Sequence, residues 1–488
     1  MRDAAPSMRG QHAVRMLWAV AMTIGACYIA AYILIAVRRM AYPFELEWME
    51  GAVLDQVRQV AAGQRLYVAP SMDFIPFQYP PLYFYLGALI TRIAGVGFAP
   101  LRLVSFVCSV GCFGIIFGMV QRDSGSARAG WVAAALFAGC FRLGGAWYDL
   151  ARVDSLCLVL VLCAAYSVRF DASVRGGILA AILLSLAFLT KQSALLVAVP
   201  LLAYRASVCR RQGMWAILTF LALSGAAIWA LDTLHGGWYV YYVFMMPAKM
   251  QRVDAVNADF WRHHIAGSLV IASALSAWYL WRMGRRSWHA SAAWFYPAFA
   301  LGLIGSTWLS MRHAGAYDNN LIPADAAIST LFGLALAEIE GGVLSAILCI
   351  GQLLLLSYDP RAQLPTARSR AAGRHLVSVI GSTPGDVLLP QHGYLGAFAG
   401  KRTFAHSMAV YDVIRAGRPE DARRVVEQLQ HALAERRFGA VIADRVDPWL
   451  RDDLARAYRQ RGDAIADPDA FWPLTGLRIR PESVFVPR

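Results

Sequence analysis

Glu45, Glu47 and Glu50 are the only glutamates in the first 337 residues, and all three lie in YPFELEWMEG at 42–51. A carboxylate beside a bilayer is costly to keep unless something uses it. Met49, Val53, Val57 and Val60 recur at helical spacing after Trp48, which predicts an interfacial helix beginning near Glu47. Glu47 and Glu50, three apart, would share a face at its start. There the helix dipole favours the ionised carboxylate while partial burial opposes it. A carboxylate balanced in this way suits a general base that takes a proton from an acceptor hydroxyl. The plainer alternative is acidic residues at a helix N-terminus, but that explains one glutamate better than three in a segment so short of them.

Cations stand in later segments. YDLARVDS at 148–155 brings Arg152 and Asp154 to a helix start; a local Asp149–Arg152 pair and a capping role for Asp154 are the plain readings there. Lys191 is one of only three lysines, with Lys249 and Lys401. At a hairpin tip it would meet a phosphate oxyanion and the charge developing on a leaving phosphate; snorkelling is the alternative. MRHAGAYDNNLIPAD at 311–325 runs from a polar loop into a helix and carries Arg312, His313, Asn319, Asn320 and Asp325. His263, His264 and His313 form no recognisable metal pattern, and none of the eight cysteines makes a CxxC pair. The aromatic block GGWYVYYVF at 236–244 reads first as a membrane-interface belt and second as a surface for a sugar or lipid tail.

These residues must be positioned by membrane helices. The 488 residues are 58% hydrophobic with a mean hydropathy of +0.45, and the apolar residues fall in repeated runs of spanning length. That excludes an ordinary soluble enzyme and makes the chain an α-helical polytopic membrane protein. The net charge of +14 is nearly all arginine, gathered in short loops between apolar runs. No basic soluble face with interleaved aromatics appears, so nucleic acid is not an expected partner. The positive-inside rule places Arg122 and Arg128, Arg169 and Arg175, Arg205, Arg210 and Arg211, and Arg282, Arg285 and Arg286 on the cytoplasmic side. This holds only if residues 80–95 lie in the interface instead of spanning. One helix over 176–205 would measure about 45 Å against a bilayer core of about 30 Å, so it must break at Thr190-Lys191-Gln192.

The result is about eleven transmembrane helices, the first retained as an anchor, plus interfacial helices in the first outer loop. All the chemistry-bearing residues then share the outer face. The fourth outer loop, 232–263, adds Asp232, His235, Lys249, Arg252, Asp254, Asp259 and Arg262. Residues 361–488 differ: charge rises, VLLP and GAVIAD read as short strands, and 420–437 reads as an amphipathic helix with Val425, Leu429 and Leu433 on one face. The expected division is a transmembrane catalytic domain over 1–357 and a small soluble α/β domain over 361–488 on the outer side.

EWMEG, Gly63, YPPLYFYL, Arg152-Val153-Asp154 and Thr190-Lys191-Gln192-Ser193 follow one another in an order that resembles the GT-C superfamily of membrane glycosyltransferases. The resemblance is to the branch of protein O-mannosyltransferases and lipid A aminoarabinose transferases. It covers about residues 40–200, with looser support to 325. Met49 stands where the branch often has an aspartate, so Glu50 first and Glu47 second are expected as base, with Glu45 structural. The resemblance implies transfer of a sugar, with inversion, from a polyprenyl-phosphate donor to a lipid, glycan or protein acceptor outside the inner (cytoplasmic) membrane. Asp154 would orient the site, and Arg152, Lys191, Arg312, His313, Tyr79 and Asn320 would bind substrate or phosphate. Some relatives use a divalent metal; this sequence does not require one, and no glycine loop for a nucleotide-sugar appears. A flippase for lipid-linked sugars and a non-catalytic assembly protein are the rival readings.

Overall fold

The computed structural model describes residues 8–253, 258–286, 291–339, 342–444 and 446–488; Asp254 lies outside them. The described chain is mostly helical, with a small sheet near its end. α1 (Met8–Met40) leads through an irregular segment to α2 (Glu50–Ala61) and α3 (Leu82–Ala94). Next come α4 (Phe98–Ser124), α5 (Ala127–Gly139), α6 (Asp154–Phe170), α7 (Val174–Thr190), α8 (Ala194–Val208) and α9 (Arg210–Leu234). After irregular and π-helical stretches follow α10 (Val270–Arg286), α11 (Phe295–Met311), α12 (Ile322–Glu338) and α13 (Val343–Leu355).

Among the described residues four helices are long and apolar enough to cross a membrane: Gln11–Met40, Phe98–Ser124, Arg210–Leu234 and Asp318–Glu338. A fifth results if Phe260–Ser268 and Val270–Arg285, bent by 92°, act as one span. The other apolar helices are shorter. The helix expected over 176–205 is indeed broken, with Lys191 in the gap between α7 and α8. α2 starts at Glu50 and not near Glu47, because Glu47 is taken up in an extended bridge to Thr475. Glu47 and Glu50 therefore do not share a helix face.

Ion pairs and hydrogen bonds show which loops meet. Arg169 grips Asp123 at 2.7 Å, Tyr296 also reaches Asp123, and Arg205 donates to the carbonyls of Asp171 and Ser173. The arginine-rich loops thus gather at one end of the bundle. Glu47, Arg152, Lys191 and Asn320 gather at the other.

The chain continues through α14 (Ala367–Ser382), β1 (Asp386–Leu388), α15 (Gly393–Phe398), α16 (Ser407–Ala416), α17 (Pro419–Ala434), β2 (Phe438–Ala443), α18 (Arg451–Ala457), β3 (Tyr458–Asp463) and β4 (Ser483–Pro487). The sheet order is β1-β2-β4-β3, with β1 and β2 parallel and the other pairs antiparallel. Val425, Leu429 and Leu433 of α17 are buried beneath it, as their spacing requires. This unit rests on the segment between α1 and α3 and on the start of α4. Ala405 N donates to the Met72 carbonyl at 2.9 Å, the Gln428 side chain accepts from Met72 N at 3.0 Å, and Tyr394 packs edge-on to Phe98.

Candidate active site

The three glutamates have three different partners. Glu45 reaches His392 Nδ1 at 2.6 Å and accepts from Gly51 N at 2.9 Å. His392 Nε2 meets Asp444 at 2.9 Å, so one imidazole joins the glutamate segment to the C-terminal unit. Burial alone would lower the pKa of His392, but Asp444 and Glu45 lift it to about 10, and the ring is cationic at neutral pH.

Glu50 is saturated. Its carboxylate takes both Arg102 Nε at 3.0 Å and Nη2 at 2.7 Å, and accepts from Leu46 N and Ala151 N, each at 2.7 Å. Burial pushes its pKa up, but Arg102 and the two backbone donors outweigh that and hold it below the usual carboxylate range. It does not border the cavity described below. This geometry is at odds with the expectation that put Glu50 first as base: no oxygen is left to take a proton.

Glu47 is the reverse case. Oε2 pairs with Arg152 Nη1 at 3.0 Å, while Oε1, buried, has no hydrogen-bond partner. Burial raises its pKa to about 8, and the nearby Arg152 offsets only part of that rise. Arg152 sits in the tight turn between α5 and α6, which Gly145 and Ala146 form with φ of 72° and 60°. Its guanidinium lies over Trp147, 5.0 Å from the ring centroid, and reaches the Tyr79 hydroxyl at 3.4 Å. The expected Asp149–Arg152 pair is absent because Asp149 is taken by Arg39 at 3.0 Å.

A second polar cluster adjoins the first. Asp154 opens α6, and its Oδ1 accepts from Lys191 Nζ at 2.8 Å and Asn319 Nδ2 at 2.9 Å. Lys191 also donates to Asn320 Oδ1 at 2.9 Å. Both clusters border a cavity of about 720 Å³. Glu47, Tyr79, Arg152, Lys191, His313 and Asn320 line its polar side. Leu195, Leu196, Val243, Phe244, Pro247 and Leu309 line an apolar side, and Met408 and Asp412 of α16 close it from the C-terminal unit. Asp154 borders only a small adjoining cleft. Glu47 has no exposed surface, so its carboxylate lies just under the cavity wall, behind Arg152.

Some expected site residues are elsewhere. Arg312 is not on the cavity wall; it lies over the Trp308 ring. His264 is buried against Asp325 at 2.8 Å, and His263 pairs with Asp259 on the exposed surface. Among the described residues no three His, Cys, Asp or Glu side chains gather as a metal cage would require. Of the possible ligands on the cavity wall, Glu47 is held by the Arg152 guanidinium, and Asp412 and His313 do not gather with it into a set of three. Arg102 went unnoticed in the sequence although the signal was there: an arginine inside the apolar run PLRLVSFV obeys the same scarcity argument as the glutamates. His392, Thr475 and Asp412 gave no such signal.

Residues 78–231 match the sequence model of the family "Dolichyl-phosphate-mannose-protein mannosyltransferase". The match begins beside Tyr79 and takes in Arg152, Asp154 and Lys191, but not the glutamates. ArnT from Cupriavidus metallidurans in the apo state superposes with a TM-score of 0.64 at 13% identity, over 94% of this chain and 97% of that one. The same protein bound to undecaprenyl phosphate gives 0.62 at 12% identity over the same shares. The chain has the GT-C glycosyltransferase fold. The Archaeoglobus fulgidus oligosaccharyltransferase, another carrier of the GT-C fold, matches at a TM-score of 0.51 and 12% identity, over 88% of this chain and 68% of that one. No curated protein sequence matches significantly. The GT-C likeness extends through the C-terminal unit, which the sequence motifs did not reach.

Proposed function

We propose that the protein is an integral membrane glycosyltransferase that moves a sugar from a polyprenyl-phosphate donor to a glycolipid, polysaccharide or protein acceptor, with inversion. The observation that carries this reading is the wall of the 720 Å³ cavity: a carboxylate with a free oxygen beside Arg152 and Lys191, facing an apolar side suited to a lipid chain. ArnT, described as bound to undecaprenyl phosphate, supports that choice of donor. In this reading about eleven helices span the inner membrane, residues 1–357 form the catalytic domain, and the cavity and the domain of 361–488 face the periplasm.

Glu47 is the general base. The acceptor hydroxyl gives its proton to the Glu47 carboxylate as its oxygen bonds to the anomeric carbon. The bond from that carbon to the phosphate oxygen breaks, and its electron pair leaves on the polyprenyl phosphate. Arg152 and Lys191 stabilise that departing charge, with Tyr79, His313 and Asn320 as further donors on the wall. Asp154 holds Lys191 toward the cavity. Donor binding also prepares the base. Arg152 covers Glu47 in the structure and holds its pKa down, and a donor phosphate competes for the guanidinium, which uncovers the carboxylate and makes it a stronger base. Glu50 is assigned a structural role with Arg102.

Polyprenyl-phosphate sugars extracted from the organism's own membranes contain the native donor. Purified protein should release polyprenyl phosphate from that pool when acceptor is supplied, and E47Q should not. Undiminished release by a stably expressed E47Q would move the reading to a carrier or an assembly protein. Mass spectrometry of surface glycans from cells lacking the protein would identify the sugar and the acceptor.

A further inference from the structure

The C-terminal unit does more than close the cavity. Residues 474–476 pass directly over the catalytic glutamate segment. Leu474 N and Thr475 N both point at the Leu46 carbonyl, at 2.8 and 3.3 Å, and Thr475 pairs with Glu47 as an isolated parallel bridge. Thr475 Oγ1 accepts from Trp147 Nε1 at 3.0 Å and donates to the Gly145 carbonyl. Trp147 is the ring beneath the Arg152 guanidinium. One threonine is therefore tied to the backbone of Glu47 on one side and to the turn that presents Arg152 on the other. Gly476, at φ 76°, fills the last gap: a Cβ there would lie 2.9 Å from both Cγ and Oε1 of Glu47. The carboxylate occupies the hollow left by the missing side chain.

We propose that residues 474–476 are a positioning strap, with Thr475 as its working residue, that fixes the distance between Glu47 and Arg152. The proposal rests on the reading of Glu47 as base. A bond network that links both partners of an ion pair sets how far the pair opens when phosphate enters. It also sets where the Glu47 carboxylate stands relative to the acceptor hydroxyl. Misplacing a catalytic group by about an ångström costs up to about a hundredfold in rate.

The test uses full-length protein in detergent or nanodiscs, with the extracted polyprenyl-phosphate sugars as donor pool, a total extract of the same cell envelope as acceptor pool and release of polyprenyl phosphate as readout. T475V keeps the volume and removes the hydroxyl. W147F cuts the same link from the other side while keeping a ring under Arg152. Both should lower kcat by about tenfold to a hundredfold, leave the apparent KM for the donor within about twofold and shift the acid limb of the pH–rate profile. T475S should restore all three. A T475V protein with wild-type kcat and an unshifted acid limb, beside an inactive E47Q, would overturn the strap and leave the base assignment standing. An active E47Q would overturn the base assignment beneath it. Loss of activity in T475V and T475S alike, in step with a fall in Tm, would also overturn the strap, because it would mark the contact as support for the fold alone.

Discussion

Glu50→Gln and Glu47→Gln are the same chemical change three residues apart, and the structure demands opposite outcomes. At position 50 the carboxylate accepts four hydrogen bonds, two of them from a buried guanidinium. Glutamine offers one acceptor oxygen, and its NH2 would face N–H donors. Arg102 would keep the carbonyls of Arg39, Tyr42 and Phe44 but lose its only ion pair among the described residues. Leaving a buried charge unpaired in this way costs about 3–5 kcal/mol, a large fraction of ordinary stability. At position 47 glutamine loses one ion pair. Arg152 keeps the Trp147 ring and the Tyr79 hydroxyl, and it borders a cavity of about 720 Å³ that admits water. The cost there is about 1.5–3 kcal/mol, that of one charged hydrogen bond. Turnover should fall by about 10²–10⁴, as expected for loss of a general base. The assay is thermal unfolding of both purified variants beside release of polyprenyl phosphate. E50Q should show a lowered Tm or poor recovery, with any surviving folded fraction active; E47Q should be well folded and inactive. A stable, inactive E50Q beside an active E47Q would refute the assignment and restore the order that the sequence motif favours.

Three further outcomes follow from the same geometry. A base whose pKa burial has raised to about 8 must be ionised to work, so kcat/KM should climb with pH up to about 8 and then level; a profile already flat at pH 6 would contradict the role of Glu47. Lys191→Met should weaken the stabilisation of the protein by added undecaprenyl phosphate in a thermal-shift titration, while Arg312→Met should not, because only Lys191 lines the cavity. His392 has a folded pKa raised above its ordinary 6.5, so the stabilisation from its clamp is fully present below about pH 6.5 and is lost as pH rises through about 10; the Tm difference between wild type and H392Q should shrink across that window.

The glutamate cluster, the break at Lys191 and the sheet strands at VLLP and GAVIAD were legible because each is a local signal: scarcity, length and apolar runs. The division of labour among the glutamates was not. Which carboxylate is free depends on Arg102 and Arg152, at 52 and 105 residues' separation from their partners, and no local spacing encodes that pairing. The helix expected near Glu47 begins three residues later, at Glu50, for a related reason, since a strand-like contact from residue 475 competes for that backbone. Asp412 reaches the cavity from a unit whose sequence shares no motif with the helices it covers.

The link between Trp147 and Thr475 spans 328 residues of chain. Helices of the bundle can form from neighbouring residues, but a contact of such separation closes late in folding, because the loop entropy must be overcome first. The pairing of Glu47 with residue 475 waits on the same event. A ribosome that has delivered every membrane helix has therefore still not delivered a finished site. Until the last unit docks, the cavity stays open on one side and Glu47 lacks its contacts with Thr475 and Gly476. Completion of the chain acts as an arming step, and under the proposed function immature copies would leave the donor unspent.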